Sequence, residues 1–197
     1  MKRPVIVLAS TSRYRRELLQ RLQVRFDVQS PEVDETPRVG EVPRETALRL
    51  AIAKARAVSA MRPGDVVIGS DQVAELDGEA LSKPLEHERA LAQLQRMRGR
   101  EVVFHTAVAV AGPTADRMQM DCIPTVVRMR VLPDVALESY LRADRPYDCA
   151  GAAKIESLGI ALVERVQSDD PTALIGLPLI RLTTMLTAAG ISVLRAA

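Results

Sequence analysis

The stretch VIVLASTSRYRRELLQRL, residues 5 to 22, decides how the first part of the chain is expected to fold. Its apolar start, Val5 to Ser10, is typical of a fully buried strand. The residues from Arg13 to Leu22 follow the spacing of a helix. Small polar residues join the two segments. A strand that leads directly into a helix indicates an α/β architecture.

The remaining sequence continues to alternate between strands and helices. The second half adds two long strand-like runs, which predict antiparallel pairing around the loop 112–116. A two-residue turn at Asp77 and Gly78 predicts a hairpin. Further helices are predicted at 45–61, 86–98, 133–142 and 177–189, and further strands at 26–29, 65–71, 102–110, 118–131, 160–166 and 191–194. Together, these elements predict an α/β fold with a mixed, twisted central sheet flanked by helices, and two lobes around an active-site cleft.

Composition narrows the class of protein. The chain has 197 residues, of which 47% are hydrophobic, which suits one domain across 1–197 without a separable linker. A net charge of +2 and 3% aromatic residues argue against a nucleic-acid partner. The apolar run at the N-terminus is too short for a signal peptide or a membrane span, so we expect a cytoplasmic protein. Cys122 and Cys149 are expected to be reduced.

The start of the first helix holds three arginines, Arg13, Arg15 and Arg16. The N-terminus of a helix carries partial positive charge, which disfavours each nearby cation by roughly 0.3–1 kcal/mol. Helical spacing places Arg15 and Tyr14 on the inward face, Arg16 toward water and Arg13 within reach of Glu17. A cluster of cations in this position needs an explanation.

An anion site is one explanation. Free backbone N–H groups, the hydroxyls of Ser10 and Ser12 and an inward Arg15 together form the surroundings that a phosphate prefers. The unfavourable interaction with the helix dipole disappears once a phosphate is bound. The alternative is a solvated arginine cluster beside a serine N-cap.

Two acidic segments are candidates for metal binding and catalysis. PEVDETP, residues 31 to 37, holds three carboxylates that include Glu35, and oxygen ligands on a loop suit Mg²⁺ or Mn²⁺. IGSDQ places Asp71 directly after an apolar strand, where a carboxylate can bind a metal or accept a proton from water. The alternatives are a solvated acidic loop and an aspartate in a turn.

Two lysines and one loop complete the set. Lys54 lies amid apolar residues in a helix, and Lys83 follows the hairpin; lysine commonly binds phosphate as a point charge. Lys54 can instead extend out of the core to water. The small residues and Glu156 of CAGAAKIESLG, residues 149 to 159, indicate a loop that approaches a base closely, with a plain surface turn as the alternative.

The assembled pieces resemble the Maf family of nucleotide pyrophosphatases. The matching segments run in order through nearly the whole chain: LASTSRYRRELL, PEVDETP, LAIAKARAV, VIGSDQV, LSKPL, CAGAAKIESLG and IGLPL. The resemblance implies a cleft that binds a nucleoside triphosphate and a required divalent cation. It also implies hydrolysis between the α and β phosphates, to a nucleoside monophosphate and pyrophosphate.

Three positions indicate a branch within that family. The chain has Tyr14, Gln72 and Glu156, where members that act on dTTP and UTP have arginine, threonine and glutamine. These residues are similar to those of the bacterial branch that hydrolyses 7-methyl-GTP, although Arg13 replaces the proline usual there. The Glu156 carboxylate can accept from both N1–H and N2–H of the cationic methylated base. Tyr14 can stack on its ring, and Gln72 can read a further polar atom.

The resemblance and the residue chemistry together assign provisional roles. Asp71 is predicted to be the general base and, with Glu35, to hold Mg²⁺ or Mn²⁺. The charges of Arg15, Lys54 and Lys83, with Ser10, Ser12 and the helix N-terminus, are predicted to neutralise the triphosphate. The alternatives are a pyrophosphatase for dTTP, UTP or many modified nucleotides, and a non-catalytic nucleotide sensor that regulates cell division. Removal of modified nucleotides and a homodimer are implied by resemblance only.

Overall fold

A computed structural model of the chain describes residues 4–113 and 118–194. It contains a mixed seven-stranded sheet with five flanking α-helices, which confirms the predicted fold class. In chain order the elements are β1 (Ile6–Ala9), α1 (Arg13–Gln20), β2 (Phe26–Gln29), α2 (Pro43–Met61), β3 (Val66–Leu76), β4 (Glu79–Leu81), α3 (His87–Met97), β5 (Glu101–Ala111), β6 (Met118–Met129), α4 (Asp134–Asp144), β7 (Val163–Ser168) and α5 (Leu179–Ala188). Single-turn 3₁₀ helices occupy Ala150–Ala152, Leu158–Leu162 and Ala173–Ile175.

The sheet combines a parallel part and an antiparallel part. Its strand order is β2-β1-β3-β5-β6-β7, with β4 paired to β3. β1 runs parallel to β2 and β3, and α1 and α2 provide the crossovers that parallel pairing requires. The pairs from β3 through β5 and β6 to β7 are antiparallel. The predicted hairpin joins β3 to β4, and both turn residues, Asp77 and Gly78, have the positive φ of that turn type.

The register of β3 leaves a gap in the sheet. On one edge β3 pairs with β1 as far as Gly69, and it pairs with β4 from Ala74 onward. Across the other edge β5 pairs with β3 continuously from Val67 to Glu75. Residues 70–73 therefore lie between the end of one neighbouring strand and the start of another. The gap is where Asp71 and Gln72 are found.

The core is divided around the same gap. On one face of the sheet, α2 packs through Ala51 and Ala55 so closely that a Cβ on Gly69 would lie 2.2 Å from the Ala51 carbonyl oxygen. On the other face, α1 and α5 cover the Ile68 end of β3, whereas α3 and α4 cover the Ala74 end. Alternate residues of a strand share a face, so Ser70 and Gln72 lie between these two apolar clusters.

Several predicted elements differ from the structure. β3 does not end at Asp71 but runs to Leu76, because its pairing with β5 continues. The strand predicted at 160–166 begins only at Val163, after a 3₁₀ helix, and 191–194 is not a strand. The predicted loop 112–116 lies partly outside the described residues. Within the described part of the chain, no helix is both long and apolar enough to cross a membrane.

Candidate active site

Two adjoining cavities open at the gap in β3. The larger has a volume of about 490 Å³ and the smaller about 150 Å³. The larger is lined by Glu35, Lys54 and Asp71, and the smaller by Glu156. The structure brings together all ten residues that the sequence singled out: Ser10, Ser12, Tyr14, Arg15, Glu35, Lys54, Asp71, Gln72, Lys83 and Glu156. Segments distant in the chain therefore form one site.

The N-terminus of α1 forms one wall of the larger cavity. Ser12 is the N-cap, and its hydroxyl accepts a hydrogen bond from the Arg15 backbone N–H at 3.4 Å. The Ser10 hydroxyl in turn accepts from the Ser12 N–H at 3.1 Å. Both serines thus order the turn that enters the helix. This arrangement places the first N–H groups of the helix beside the cavity, where an anion is stabilised.

The arginines at the start of α1 differ in their surroundings. The Arg15 Nε donates to the Gly176 carbonyl oxygen at 3.0 Å, so its half-buried guanidinium is directed inward, as predicted. Arg16 is exposed. The Arg13 guanidinium lies 4.7 Å from the centre of the Tyr14 ring and donates to the Tyr14 hydroxyl. It also interacts electrostatically with Glu17, as predicted, and the adjacent ring adds a cation–π attraction.

Lys54 joins the two carboxylates that were predicted to bind metal. Its Nζ lies 2.6 Å from Asp71 Oδ1 and 2.5 Å from Glu35 Oε1. Lys54 is 5% exposed, so it does not extend to solvent. Asp71 is also buried, whereas the Glu35 side chain is 56% exposed at the mouth of the cavity. The ammonium group thus holds one buried and one open carboxylate at a common point.

The charges around this point affect ionisation. Burial acts to raise the pKa of Glu35, but the hydrogen bond and charge of Lys54, with Lys83 and Arg15, outweigh it and lower that pKa. Burial lowers the pKa of the Arg15 guanidinium, an effect that the charges of Asp71 and Glu35 oppose. Cations and acids are therefore coupled across the larger cavity, and Glu35 is ionised at neutral pH.

Gln72 is fixed by protein acceptors. Its Nε2 donates to Thr106 Oγ1 at 2.8 Å and to the carbonyl oxygens of Ala173 and Leu174 at 3.0 Å each. The amide nitrogen is thereby committed to the protein. Since Gln72 lines both cavities, the group that remains for a ligand is the acceptor Oε1.

The loop that carries Glu156 is tightly folded. Tyr140 donates its hydroxyl to the Ala152 carbonyl oxygen and accepts from the Lys154 N–H at 3.0 Å. A Cβ at Gly159 would lie 2.3 Å from the Lys154 carbonyl oxygen, so the loop packs closely against itself at this glycine. The predicted approach of the loop to a base stays a prediction. Partial burial, with a smaller effect of Asp144, raises the pKa of Glu156 above its usual value.

Cys149 also lines the smaller cavity. Burial, with the charge of Asp148, raises the pKa of its thiol to about 12. A thiol with such a pKa is protonated at neutral pH and is a poor nucleophile. The cavity therefore offers no activated cysteine at this position.

The sequence analysis missed the residues that organise the other wall. Asp170 is 2% exposed, and its carboxylate accepts from the backbone N–H groups of Thr172 and Ile180. This fixes the turn that contains Gly176, whose carbonyl oxygen accepts from both Arg15 and Ser70. The local signal is the pair Asp170 and Thr172, because an aspartate commonly accepts from the backbone N–H two residues on; its contact with Ile180 is not local. Asp148, which lines both cavities, was also missed.

The chain is similar to known proteins along nearly its whole length. Residues 5–189 match the family described as Maf-like protein. The chain belongs to the Maf-like family. Among similar proteins, one from Albidiferax ferrireducens is 59% identical over 97% of this chain and 96% of its own length. One from Methylobacillus flagellatus is 56% identical over 97% of this chain and all of its own length. One from Burkholderia thailandensis is 60% identical over 95% of this chain and 88% of its own.

Each of these three Maf-like relatives is named 7-methyl-GTP pyrophosphatase. The matched region includes every residue that lines the two cavities. The family membership predicted from the ordered motifs is thereby confirmed.

Proposed function

We propose that this protein hydrolyses 7-methyl-GTP to 7-methyl-GMP and pyrophosphate. The observation that supports this most directly is the pairing of two cavities with different chemistry. The larger holds cations, a helix N-terminus and the Glu35–Lys54–Asp71 cluster, and the smaller holds Glu156 beside Tyr14. A polyanion fits the first and a cationic base the second. The names of the similar proteins support the same substrate.

In the proposed reaction, the Asp71 carboxylate orients the attacking water and accepts its proton. The Lys54 contact at 2.6 Å positions that carboxylate inside a buried site. Water attacks one of the two phosphorus atoms that the α–β bridging oxygen joins, the P–O bond to that oxygen breaks, and its electron pair stays on the departing phosphate; the products are 7-methyl-GMP and pyrophosphate. No covalent intermediate is needed, because phosphoryl transfer depends mainly on positioning and electrostatics.

Neutralisation of charge is assigned to Arg15, Lys54 and Lys83, with the N-terminus of α1. Arg15 is anchored through Nε to the Gly176 carbonyl oxygen, which leaves the other guanidinium N–H groups for phosphate oxygens. Lys54 has to exchange a carboxylate for a phosphate as the substrate enters. These groups stabilise both the bound triphosphate and the charge that develops on departing pyrophosphate.

A divalent cation is part of the proposal, and the donor set fits one. Glu35 and Asp71 direct hard carboxylate oxygens toward a common point, now bridged by Lys54. Mg²⁺ typically binds through one or two carboxylates plus substrate phosphates and water. Residues 4–113 and 118–194 contain no group of three or more His, Cys, Asp or Glu that could hold a metal ion, so the proposal relies on substrate phosphates and water for the remaining ligands. When bound, Mg²⁺ or Mn²⁺ would polarise the phosphates.

Recognition of the base is assigned to Glu156, Tyr14 and Gln72. The Glu156 carboxylate would accept from N1–H and N2–H, and the positive base would favour its ionised form despite the raised pKa. Arg13 covers one face of the Tyr14 ring, so the base would stack on the opposite face or displace Arg13. Gln72 would contribute its acceptor oxygen.

A panel of nucleoside triphosphates with pyrophosphate detection tests the proposal. The panel contains 7-methyl-GTP, GTP, UTP, dTTP and other modified nucleotides, and kcat/KM is measured for each. We expect the highest value for 7-methyl-GTP. A higher kcat/KM for UTP or dTTP would contradict 7-methyl-GTP as the substrate. Tight binding without product over hours would instead indicate the alternative, a nucleotide sensor that acts in cell division.

The cellular setting belongs to the same proposal. We propose a cytoplasmic enzyme that removes modified nucleotides, with no nucleic-acid or membrane partner. A homodimer is proposed from the resemblance alone, and light scattering of the purified protein measures it directly.

A further inference from the structure

Asp148 occupies a distinctive place in the site. Asp148 lines both cavities, and so do Ser12, Tyr14, Arg15, Gln72 and Lys83. Among these six shared residues Asp148 is the one with a carboxylate. It stands apart from the Glu35–Lys54–Asp71 cluster, and its ion-pair partner is instead Lys154, at 3.8 Å.

A carboxylate at the boundary of the two cavities is suited to a hydrogen-bond donor rather than to phosphate. Phosphate oxygens repel a carboxylate, and the protein contacts of Asp148 are weak. They are the distant Lys154 ammonium and a long contact from the Cys149 thiol at 3.5 Å. Its side chain is 70% exposed, so its accepting oxygens are available to a ligand.

The geometry of the substrate supplies the partner. If the phosphates occupy the larger cavity and the base the smaller, the sugar has to lie at the boundary between them. A ribose presents two hydroxyl donors there, and a carboxylate is the strongest side-chain acceptor for such groups. From this juxtaposition we infer that Asp148 accepts hydrogen bonds from the ribose hydroxyls and makes the site selective for ribonucleotides.

The backbone around Asp148 is held in place. The preceding residue, Tyr147, accepts a hydrogen bond from the Leu85 N–H at its carbonyl oxygen, and its hydroxyl lies 2.8 Å from His87 Nδ1. The Cys149 N–H donates to the Pro146 carbonyl oxygen and closes a turn. These contacts tie the Asp148 turn to the segment that follows Lys83, so the carboxylate has a defined position relative to a phosphate-binding cation.

The test compares substrates that lack one hydroxyl in wild type and in Asp148→Ala. It uses 7-methyl-GTP and its 2′-deoxy and 3′-deoxy analogues. We expect wild type to lose about 10-fold in kcat/KM when the recognised hydroxyl is absent, a modest factor because the carboxylate is largely solvated. In Asp148→Ala, the ratio of kcat/KM for 7-methyl-GTP to kcat/KM for the deoxy analogue should be near one, because activity falls toward the ribonucleotide alone.

Two further variants separate this role from others. Asp148→Asn keeps one acceptor oxygen and should keep part of the discrimination, whereas Glu164→Ala, an exposed carboxylate of β7 outside both cavities, should behave as wild type. Equal losses on all three substrates would overturn the inference. The inference would also be overturned if Asp148→Asn needed more Mg²⁺ but still discriminated between the ribonucleotide and its deoxy analogues as wild type does. That result would make Asp148 a metal ligand.

This inference rests on the proposed function only through the placement of a nucleoside triphosphate. If the panel shows another base preference, the same comparison is made with that nucleotide and its deoxy forms. The panel thus tests the assignment of 7-methylguanine as the base. The ratio of kcat/KM between the hydrolysed ribonucleotide and its deoxy form separately tests the ribose contact.

Discussion

At the scale of single residues, Asp71 provides the sharpest test of the mechanism. Asp71→Asn keeps the size of the side chain but removes the proton acceptor and its ion pair with Lys54. We expect kcat to fall by roughly 10²–10⁴-fold. Turnover of 7-methyl-GTP measures the loss, and circular dichroism verifies the fold.

A matched control for Asp71 comes from the acidic loop. Glu32 is exposed and lines neither cavity, so Glu32→Gln should retain wild-type turnover. Near-full activity in a folded Asp71→Asn protein would remove Asp71 from the role of base.

Glu156 provides the residue-scale test of base recognition. Glu156→Gln leaves one acceptor oxygen where the carboxylate has two, so turnover of 7-methyl-GTP should fall more than turnover of UTP. Because the pKa of Glu156 is raised, protonation should weaken binding of the methylated base as the pH falls toward that pKa. In Glu156→Gln, kcat/KM for 7-methyl-GTP should not show this decrease at acidic pH. Equal losses for both nucleotides would contradict the assignment.

At the scale of elements, an ion pair holds the segment between the acidic loop and α2 against that helix. The two carboxylate oxygens of Glu41 lie 2.6 Å and 2.8 Å from Arg49 Nε and Nη2, and Thr46 donates to the same group. The hydrogen bonds from Arg49 lower the pKa of Glu41 to about 2. Arg49 Nη2 also donates to the Thr36 carbonyl oxygen at 3.1 Å, so this clamp joins the segment that carries Glu35 to the helix that carries Lys54.

Loss of the clamp should reduce both stability and activity. Glu41→Gln should lower the free energy of unfolding by about 1–3 kcal/mol at neutral pH, measured by urea denaturation. A depressed pKa stabilises the fold above the unfolded-state value, so the wild-type advantage should shrink as the pH falls from about 4.5 toward about 2.

The same variant should also have a lower kcat, because Glu35 would no longer be held beside Lys54. Glu45→Gln, an exposed position in the first turn of α2, is the control and should cost less than about 1 kcal/mol. A pH-independent difference between wild type and Glu41→Gln would argue against the clamp.

At the scale of the whole molecule, folding and metal binding are expected to be separable. The apolar clusters on both faces of the sheet are built from strands and helices without a metal ligand at their centre. Chelation with EDTA should therefore abolish turnover while the circular dichroism spectrum and the unfolding temperature of the free protein stay unchanged. Added Mg²⁺ or Mn²⁺ should restore activity. Full turnover in chelator would refute the proposed metal requirement.

The sequence by itself determined the class of fold and singled out ten of the residues that line the two cavities. Strand and helix periods are local, so β1, α1, β2, α2 and the hairpin were predicted close to their observed bounds. The motif residues were identified because cations at a helix start, clustered carboxylates and an acid after an apolar strand are each unfavourable without a ligand.

Only the tertiary structure decided how those residues are arranged. Asp71 was predicted to end a strand, but it lies within β3, in a gap that exists because β1 stops and β4 starts on the same edge. The Lys54 bridge, the Arg13 stack on Tyr14, the Asp170 turn and the boundary position of Asp148 depend on contacts between distant segments. Strand register and long-range packing set such contacts, and neither is encoded in the spacing of nearby residues.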